Sequence, residues 1–438
     1  MSFRTGPVRV AVFAALFGLA GAASAATEIQ FWHSMTGALG DRVASIADRF
    51  NKSQSDYKVV PVYKGTYPES MTAAIAAYRA KQAPHIVQVF EVGTATMMYS
   101  KGAIKPVWQL MADAGQKFDP KAYISAVYGY YATPDGKLVS MPFNSSTPVF
   151  YINKDAYQKA GLDPNSPPKT WAAVAANAAK LRASGEKCGF TFGWPSWTQL
   201  ENFSSWHNLP FATKQNGFGG LDARLAINAP LQVRHITNLK EWMDKGYVTY
   251  AGRTNEAEAK FYSGECPMLM SSSGAFANIT RNAKFKFGVS QLPYYPDIPG
   301  APQNSIIGGA SLWVMSGHKP DEYKGIARFF TFLSNPELQA EWHQATGYLP
   351  ITYAAYELTK KSGFYDKTPG PNVAVEQMIV KTTTNSRGIR LGNFVQIRNA
   401  IEEELEAVWT GKKQPKQALD DAVRRGNDIL VKFQQANK

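Results

Sequence analysis

An alternation of strand-like and helix-like segments, beginning near residue 28, is the feature that most constrains this chain. Residues 28–32, 57–63 and 86–90 are rich in β-branched and aromatic residues, as strands are. Between them, apolar residues recur three or four positions apart, as on one face of a helix: Leu39, Val43, Ile46 and Phe50, then Met71, Ile75 and Tyr78. This order predicts parallel strands with helices on both faces of the sheet.

A second unit of the same kind follows Pro142. Pro148–Ile152 is predicted as a strand and Lys154–Ala160 as a helix. Thr170 is a plausible N-cap for a helix whose predicted buried face comprises Trp171, Val174, Ala178 and Leu181. Near the C-terminus, two more helices are predicted on either side of Gly411. The chain has 438 residues. A single hydrophobic core rarely includes more than about 250–300 residues, so two lobes are expected.

The first 25 residues have the layout of a secretory signal peptide. Arg4 and Arg9 precede an apolar run from Val10 to Ala20, and small residues end at Ala25. The alternative is a membrane anchor, but the run is shorter than the roughly 20 residues that span a bilayer. We therefore expect cleavage after Ala25 and export of the remaining chain.

Charge and cysteine content leave several partners open. The formal net charge of +13 suits an anionic ligand, a nucleic acid or a membrane surface. The basic residues are scattered and form no nucleic-acid-binding motif, so no nucleic acid partner is expected. Cys188 and Cys266 could form a disulfide in an oxidising compartment, but the sequence does not give the distance between them.

Catalytic and metal-binding motifs are not found in the sequence. There is no G-x-S-x-G, no phosphate-binding loop and no H-E-x-x-H, so we expect neither an enzyme nor a cofactor. No two histidines have metal-ligand spacing, and no metal site is predicted; they are His33, His85, His207, His235, His318 and His343. Glu402–Glu404 is expected on an exposed helix face. A catalytic triad formed by residues that are far apart in the sequence remains an alternative.

Polar residues follow each of the first three predicted strands. They are His33 and Ser34, then Gly65–Tyr67, then Glu91. In open α/β sheets, ligands bind beyond the carboxyl ends of the strands, so these segments are expected to meet at one edge. Loops that combine hydroxyl and aromatic residues, such as 144–147, 194–197, 271–274 and 346–348, suit a small polar or anionic ligand.

Several longer stretches resemble the extracellular solute-binding proteins related to the maltose-binding protein. They are FYINKD from Phe150, KAGL from Lys159, PKTW from Pro168 and GYLP from Gly347. Further stretches resemble the branch of that family that binds sn-glycerol-3-phosphate for bacterial ABC importers. These include FWHSM from Phe31, EVGTATMM from Glu91, PFNSSTPV from Pro142, QLENFS from Gln199 and IIGGASLWVM from Ile306.

The resemblance implies a type II periplasmic-binding-protein fold, with two α/β lobes joined by a multi-strand hinge and a ligand cleft between them. Residues 26–140 and 298–350 are expected in the N-terminal lobe, and 141–297 and 351–438 in the C-terminal lobe. It also implies a periplasmic monomer, without cofactor, that hands sn-glycerol-3-phosphate to the membrane permease subunits of the importer.

The family's binding residues map onto Tyr67, Glu91, Ser146, Ser272, Gly309, Tyr348 and Arg398, with Trp194 and Trp197 as pocket walls. Arg398 is expected to hold the phosphate with two hydrogen bonds; its alternative is a salt bridge to Glu402, four residues on. Glu91 is expected at the glycerol hydroxyls, because a carboxylate repels a phosphate. Thr382–Arg387 departs from the proline-containing stretch of the family.

Three alternatives remain at this point. The ligand could extend to glycerophosphodiesters such as glycerophosphocholine. Within the same fold, a sugar or oligosaccharide receptor is possible, because relatives stack aromatic residues on carbohydrate rings. From another class, a secreted phosphodiester hydrolase would need a metal cluster or an acid/base pair.

Overall fold

A computed structural model describes residues 1–3, 25–379 and 382–438. Most of the predicted signal peptide, residues 4–24, lies outside these ranges. Within them, no helix combines the length and the apolar character that crossing a membrane requires. The chain forms two five-stranded sheets, so the predicted division into two α/β units is confirmed.

The first sheet has the strand order β2-β1-β3-β10-β4. Its strands are β1 (Thr27–His33), β2 (Tyr57–Tyr63), β3 (Ile86–Phe90), β4 (Met141–Ser146) and β10 (Gly308–Val314). β1 runs parallel to β2 and β3, whereas β10 is antiparallel to β3 and β4. The three strands predicted at the start of the chain are thus confirmed, and their carboxyl ends share one edge.

The second sheet has the order β7-β6-β8-β5-β9. Its strands are β5 (Pro148–Asn153), β6 (Phe190–Phe192), β7 (Val248–Tyr250), β8 (Met268–Ser272) and β9 (Phe287–Ser290). A disulfide joins Cys188 to Cys266 with their Cα atoms 4.9 Å apart. Each cysteine lies two residues before a strand, so the bridge ties the starts of the parallel neighbours β6 and β8 together.

Helices of varied length surround both sheets. They are α1 (Gly37–Ser53), α2 (Tyr67–Arg79), α3 (Thr94–Met98), α4 (Val107–Asp113), α5 (Ser125–Tyr131), α6 (Lys154–Lys159), α7 (Trp171–Ala183), α8 (Asn202–Trp206), α9 (Thr213–Asn216), α10 (Pro230–Asp244), α11 (Glu256–Tyr262), α12 (Phe276–Asn282), α13 (Pro320–Leu333), α14 (Pro336–Thr346), α15 (Tyr353–Lys361), α16 (Phe364–Lys367), α17 (Pro371–Met378), α18 (Phe394–Trp409) and α19 (Pro415–Ala436).

Periodicity predicted the buried face of α7 correctly. In α7 the Thr170 hydroxyl accepts a hydrogen bond from the Ala173 amide, as an N-cap does, and the predicted buried face is buried. In α2 the prediction was partly wrong. Met71 is buried, but Ile75 is 37% exposed, and the buried face runs through Ser70 and Ala74 instead. Ile75 lies about 100° around the helix from Ala74, which turns it toward solvent.

We call the part built on the first sheet the first lobe, and the part built on the second sheet the second lobe. β4 pairs with β10 in the first sheet, so residues 141–146 lie in the first lobe, although the sequence had assigned them to the other. The chain crosses to the second sheet at Thr147. α13 packs on β1 of the first lobe, and α19 packs on α10 and α18. The other predicted bounds of the lobes stay a prediction.

Candidate ligand-binding site

A cavity of about 120 Å³ lies between the two lobes, at the carboxyl ends of the strands of the first sheet. All nine residues that the sequence singled out as ligand-binding or wall residues line it: Tyr67, Glu91, Ser146, Trp194, Trp197, Ser272, Gly309, Tyr348 and Arg398. Ser34 and Thr66 line it as well, as the strand-end rule predicted. His33 does not; it is buried, and its Nδ1 accepts a hydrogen bond from the Met35 amide.

Tyr67 is held by a regular helix start in the first lobe. It is the first residue of α2, whose N-cap Thr66 forms a reciprocal capping box with Glu69. The Tyr67 ring stacks on Phe90, with ring centroids 5.2 Å apart. Its hydroxyl accepts a hydrogen bond from Asn144 Nδ2 at 3.0 Å. Ring and hydroxyl are therefore both oriented before any ligand arrives.

Backbone geometry explains why glycine occupies position 309. Gly309 has φ +81°, and a Cβ there would lie 1.8 Å from the Asn144 carbonyl oxygen. A side chain would therefore break the pairing of β10 with β4. Ser146, the last residue of β4, is paired with Gly308 and lines the same wall.

The second-lobe wall is built from irregular backbone. Trp194 has φ +53°, which is uncommon for a bulky residue, and its amide donates to the Thr254 carbonyl at 2.9 Å. Trp197 begins a π-helical segment, Trp197–Glu201, of the kind that is frequent at functional sites. The ring of Trp197 packs against Gly308, where a Cβ would come within 2.4 Å of it. This contact joins the two lobes.

Arg398 is the cation of the cavity wall and is 8% exposed. Its Nε and Nη2 donate to the two carboxylate oxygens of Glu201 at 2.9 and 2.7 Å, and Nη2 also donates to Glu91 Oε1 at 2.8 Å. Burial alone would lower the pKa of Arg398, but the two carboxylates raise it above its ordinary value. Within the described ranges Nη1 makes no hydrogen bond, so two N–H groups remain for a ligand.

The expected alternative partner of Arg398 was wrong. Its salt bridges are to Glu91 and Glu201, and not to Glu402. The exposed face predicted for Glu402–Glu404 was also wrong, because Glu402 and Glu404 are buried and only Glu403 is exposed. Glu402 accepts from the Ser196 amide at 2.7 Å, whereas Glu404 accepts from Lys413 and Arg425 on and near α19. Packing of α18 against α19 and against the segment around Ser196 decides this burial.

Glu91 enters the cavity as the partner of Arg398. Burial raises the pKa of its carboxyl above the ordinary value, Arg398 opposes that shift, and Glu201 adds to it. One carboxylate oxygen is engaged by the guanidinium. Its predicted role at the glycerol hydroxyls stays a prediction.

The sequence did not predict the burial of three carboxyl groups near the cavity, Glu201, Glu258 and Glu402. Glu201 stands within QLENFS, a stretch already recognised as typical of the family, so a signal existed for that residue. Glu258 lines the cavity, and its Oε1 accepts from Ser271 Oγ at 3.0 Å. Burial raises the pKa of Glu258 to about 7 and that of Glu402 to about 8. No sequence pattern indicates that these acids are buried.

The lobes touch at the mouth of the cleft. Arg281 on α12 of the second lobe forms a salt bridge to Asp41 on α1 of the first lobe, with a nitrogen–oxygen distance of 2.6 Å. The side-chain oxygen of Asn278 accepts from the Ala38 amide at 3.1 Å. Together with the Arg398–Glu91 pair, these contacts enclose the cavity between the lobes.

A cluster of His85, His318 and Glu322 forms at the far end of the first sheet, although the sequence showed no metal-ligand spacing. His318 Nε2 lies 3.0 Å from the Pro84 carbonyl oxygen. Because a carbonyl only accepts, Nε2 carries a proton and donates it to this hydrogen bond. His85 Nδ1 accepts from the Gln30 amide at 3.1 Å, so in the neutral ring the proton sits on Nε2. Because Nε2 faces Glu322, the ring presents an N–H to the cluster rather than a lone pair.

Comparison with known proteins identifies the chain at the level of family. A family model described as bacterial extracellular solute-binding protein matches residues 45–370. The sn-glycerol-3-phosphate-binding periplasmic protein UgpB of Pectobacterium atrosepticum is 57% identical over 438 residues, which cover 99% of this chain and 98% of that protein. The protein of the same name from Salmonella typhimurium is 57% identical over 420 residues, covering 95% and 96% of the two chains.

Solved structures agree on the fold. UgpB from Mycobacterium tuberculosis, in complex with glycerophosphocholine, superposes with a TM-score of 0.77 at 22% identity, covering 93% of this chain and 99% of that one. Maltose-bound MalE3 of Thermotoga maritima gives a TM-score of 0.75 at 17% identity, covering 92% and 100%. The two-lobed α/β fold expected from the sequence is therefore confirmed.

Proposed function

The chain belongs to the bacterial extracellular solute-binding proteins, and on that premise we propose that it captures sn-glycerol-3-phosphate in the periplasm and delivers it to the membrane permease of an ABC importer. The relatives that are 57% identical over almost their whole length carry this ligand in their names. Glycerophosphodiesters such as glycerophosphocholine are included as further ligands, since the Mycobacterium tuberculosis structure holds one.

The observation that carries the proposal is the position of Arg398 in the cavity wall. Its Nη1 is left for a ligand, while Nε and Nη2 are fixed by Glu201 and Glu91. A guanidinium held in this way loses little conformational freedom when it binds a phosphate oxygen. Ser146 and Ser272 line the same cavity from opposite lobes.

The remaining lining residues suit the glycerol part of the ligand. Trp194, Trp197 and Tyr348 provide apolar faces with polar edges. Glu91 keeps a second carboxylate oxygen, and a carboxylate oxygen accepts hydrogen bonds from hydroxyls. We assign Glu91 to the glycerol hydroxyls, and the phosphate to Arg398 with the two serines.

Transport requires that ligand binding be coupled to lobe closure. Arg398 lies in the second lobe and Glu91 in the first, so a ligand between them contacts both walls at once. Such a ligand stabilises the closed form over the open one by its extra contacts. The closed lobes then form the surface that the permease subunits bind, with the receptor acting as a monomer and performing no chemistry.

Calorimetric titration with glycerol-3-phosphate, glycerophosphocholine and maltose tests the proposal. We expect heat of binding with the first and also with the second, and none with maltose. Binding of maltose alone would instead support a sugar receptor. Arg398→Lys keeps the charge but cannot satisfy Glu201 and the ligand together, so its affinity for glycerol-3-phosphate is expected to fall at least about tenfold.

Two further measurements address the class of protein and its assembly. Incubation of the protein with glycerophosphocholine, with and without added divalent metal, should release no choline; release that depends on the protein would indicate a phosphodiester hydrolase. Light scattering should give the mass of one chain, with and without ligand.

A further inference from the structure

Glu258 lies in the wall of the cavity but lacks the cation that accompanies the other carboxylate there. It is the third residue of α11 and is 5% exposed. Its Oε1 accepts from Ser271 Oγ, and the neighbouring lining residues Thr254, Asn255 and Ser272 are neutral. In the described part of the chain, Glu258 takes part in no salt bridge, whereas Glu91 is paired with Arg398.

The groups that surround Glu258 offer no compensation for a negative charge. Glu256 on its own helix is another acid, and it raises the pKa of Glu258. Two phenols lie close enough for the charge of Glu258 to act on them, Tyr151 on β5 and Tyr348 from the first lobe. Burial raises the pKa of both, and the Glu258 charge adds to the shift. The Ser271 hydroxyl on β8 is the one neighbour that favours the ionised form.

A charged Glu258 would oppose an anionic ligand in the same small cavity, because like charges at short range in a low dielectric repel. A protonated Glu258 would do the opposite. Ser271 occupies Oε1, so the proton of the acid form sits on Oε2 and can be donated to an acceptor in the cavity. Burial raises the pKa of Glu258 to about 7, so the carboxyl group can change between its charged and protonated forms near neutral pH.

We propose that Glu258 contacts the ligand as a neutral carboxylic acid, whose Oε2–H donates a hydrogen bond to an oxygen of the anionic ligand. This rests on the function proposed above. Glu258 is then a residue that determines specificity for oxyanions, and binding takes up a proton at any pH at which the free protein is ionised there. An arriving anion raises the affinity of Glu258 for its proton, and the proton raises the affinity for the anion by the same factor.

The test is calorimetry in pairs of buffers that differ in ionisation enthalpy, from about pH 6 to about pH 9. Two probes are used: glycerophosphocholine, which has no phosphate ionisation in this range, and glycerol-3-phosphate above about pH 7.5, where its phosphate, with a second pKa of about 6, is already ionised. We expect uptake of nearly one proton per ligand at about pH 8, and affinity that falls by up to about tenfold per pH unit above 7.

Glu258→Gln is the decisive variant, because an amide keeps the shape and a donor but cannot ionise. It should take up no proton through this group, bind at about pH 6 within roughly threefold of the wild type, and bind more tightly than the wild type at about pH 9. Glu241→Gln is the control, because Glu241 is exposed on α10 and does not line the cavity, and its proton uptake should equal that of the wild type.

Glu402 is the competing source of a proton, since it is also buried with a raised pKa but does not line the cavity. Uptake that persists in Glu258→Gln and vanishes in Glu402→Gln would overturn the proposal. Should Glu258→Gln fail to fold by circular dichroism, Ser271→Ala decides. Removal of this hydrogen bond raises the pKa of Glu258 further, so the onset of uptake should move to higher pH; an unmoved onset overturns the proposal.

Failure of this inference is distinguishable from failure of the proposed function. A wild type that binds neither phosphate ligand contradicts the proposed function. A wild type that binds them with no proton uptake, and with an affinity that Glu258→Gln leaves unchanged at every pH, contradicts the role of Glu258 alone.

Discussion

The two walls of the cavity are built in different ways. The first-lobe wall consists of strand ends and a capped helix start, with Glu91 paired to the opposite lobe and Tyr67 fixed by Phe90 and Asn144. The second-lobe wall consists of a tryptophan with left-handed backbone, a π-helical segment and the buried groups Glu258 and Arg398.

The first-lobe wall mainly sets the shape of the cavity, whereas the second-lobe wall supplies most of its charged groups. Apart from Glu91, the first lobe orients neutral polar groups, whose contributions of about 0.5–1.5 kcal/mol each are modest. The second lobe contributes the guanidinium together with the buried acids, and charge-assisted hydrogen bonds are roughly twice as strong as neutral ones. We therefore expect substitutions in the second-lobe wall to have larger effects than those in the first-lobe wall.

Removal of the guanidinium should have the largest effect. Arg398→Ala is expected to reduce affinity for glycerol-3-phosphate at least about a hundredfold, since truncating one partner of a buried charge pair costs about 2–5 kcal/mol. It should also lower the free energy of unfolding by about 3–5 kcal/mol, because Glu201 and Glu91 lose their cation. Calorimetry and urea denaturation measure the two effects.

The double variant Arg398→Ala/Glu201→Gln separates these two consequences. It removes one of the stranded charges, so it should recover part of the stability of Arg398→Ala while leaving affinity low. If affinity returned together with stability, Arg398 would act through folding rather than through contact with the ligand.

A buried acid of the second lobe should make stability fall with pH. Glu402 has a folded-state pKa of about 8 against an ordinary value of 4.5, so the folded state binds its proton more tightly than the unfolded state. Stability that is present below about pH 4.5 is thus lost as the pH rises to 8. Glu402→Gln should unfold with a free energy about 4 kcal/mol above that of the wild type near pH 8, and about equal to it near pH 4.5.

Glu403→Gln provides the matched control for that experiment. Glu403 is the exposed neighbour on the same helix, so its substitution should change the free energy of unfolding by less than about 1 kcal/mol at both pH values. Equal pH profiles for the two variants would show that Glu402 is not ionised differently in the folded and unfolded states.

Disruption of the uncharged contact between Gly308 and Trp197 should have an intermediate effect on ligand affinity. In Gly308→Ala the added Cβ would meet the Trp197 ring at 2.4 Å, so the lobes could not close as they do here. Affinity for glycerol-3-phosphate is expected to fall about tenfold, a cost near 1.4 kcal/mol. Gly129→Ala is the control, because a Cβ there meets nothing within 4 Å. Calorimetry that gives the same affinity for both variants would contradict a role of this contact in closure.

The smallest effect is expected in the first-lobe wall. Tyr67→Phe removes the hydroxyl that accepts from Asn144 and should cost about 1 kcal/mol of stability and a few-fold in affinity. Tyr353→Phe, at an exposed site outside the cavity, should change neither. Thermal unfolding and calorimetry test this pair, and an effect of Tyr67→Phe as large as that of Arg398→Ala would remove the contrast between the two walls.

Local pattern was sufficient for the elements that bury an apolar stripe. The sequence patterns correctly placed the three leading strands, α7 with its Thr170 cap, and the two helices α18 and α19 on either side of Gly411. They failed where a neighbouring element decides burial. Glu402 and Glu404 are typical of a solvated face, yet packing of α18 on α19 and on the segment around Ser196 encloses them.

The sequence alone predicted the α/β organisation, the edge of the first sheet at the cavity and, through family resemblance, nine of the residues that line the cavity. The tertiary structure alone decided the electrostatics of the site. Arg398 forms salt bridges with Glu201, 197 positions away, and with Glu91, 307 positions away. Glu258 forms none in the described part of the chain and accepts a hydrogen bond from Ser271 instead. Strand and helix periodicity reports only neighbours a few residues apart, whereas the ionisation of a buried group depends on every charge that folding brings near it.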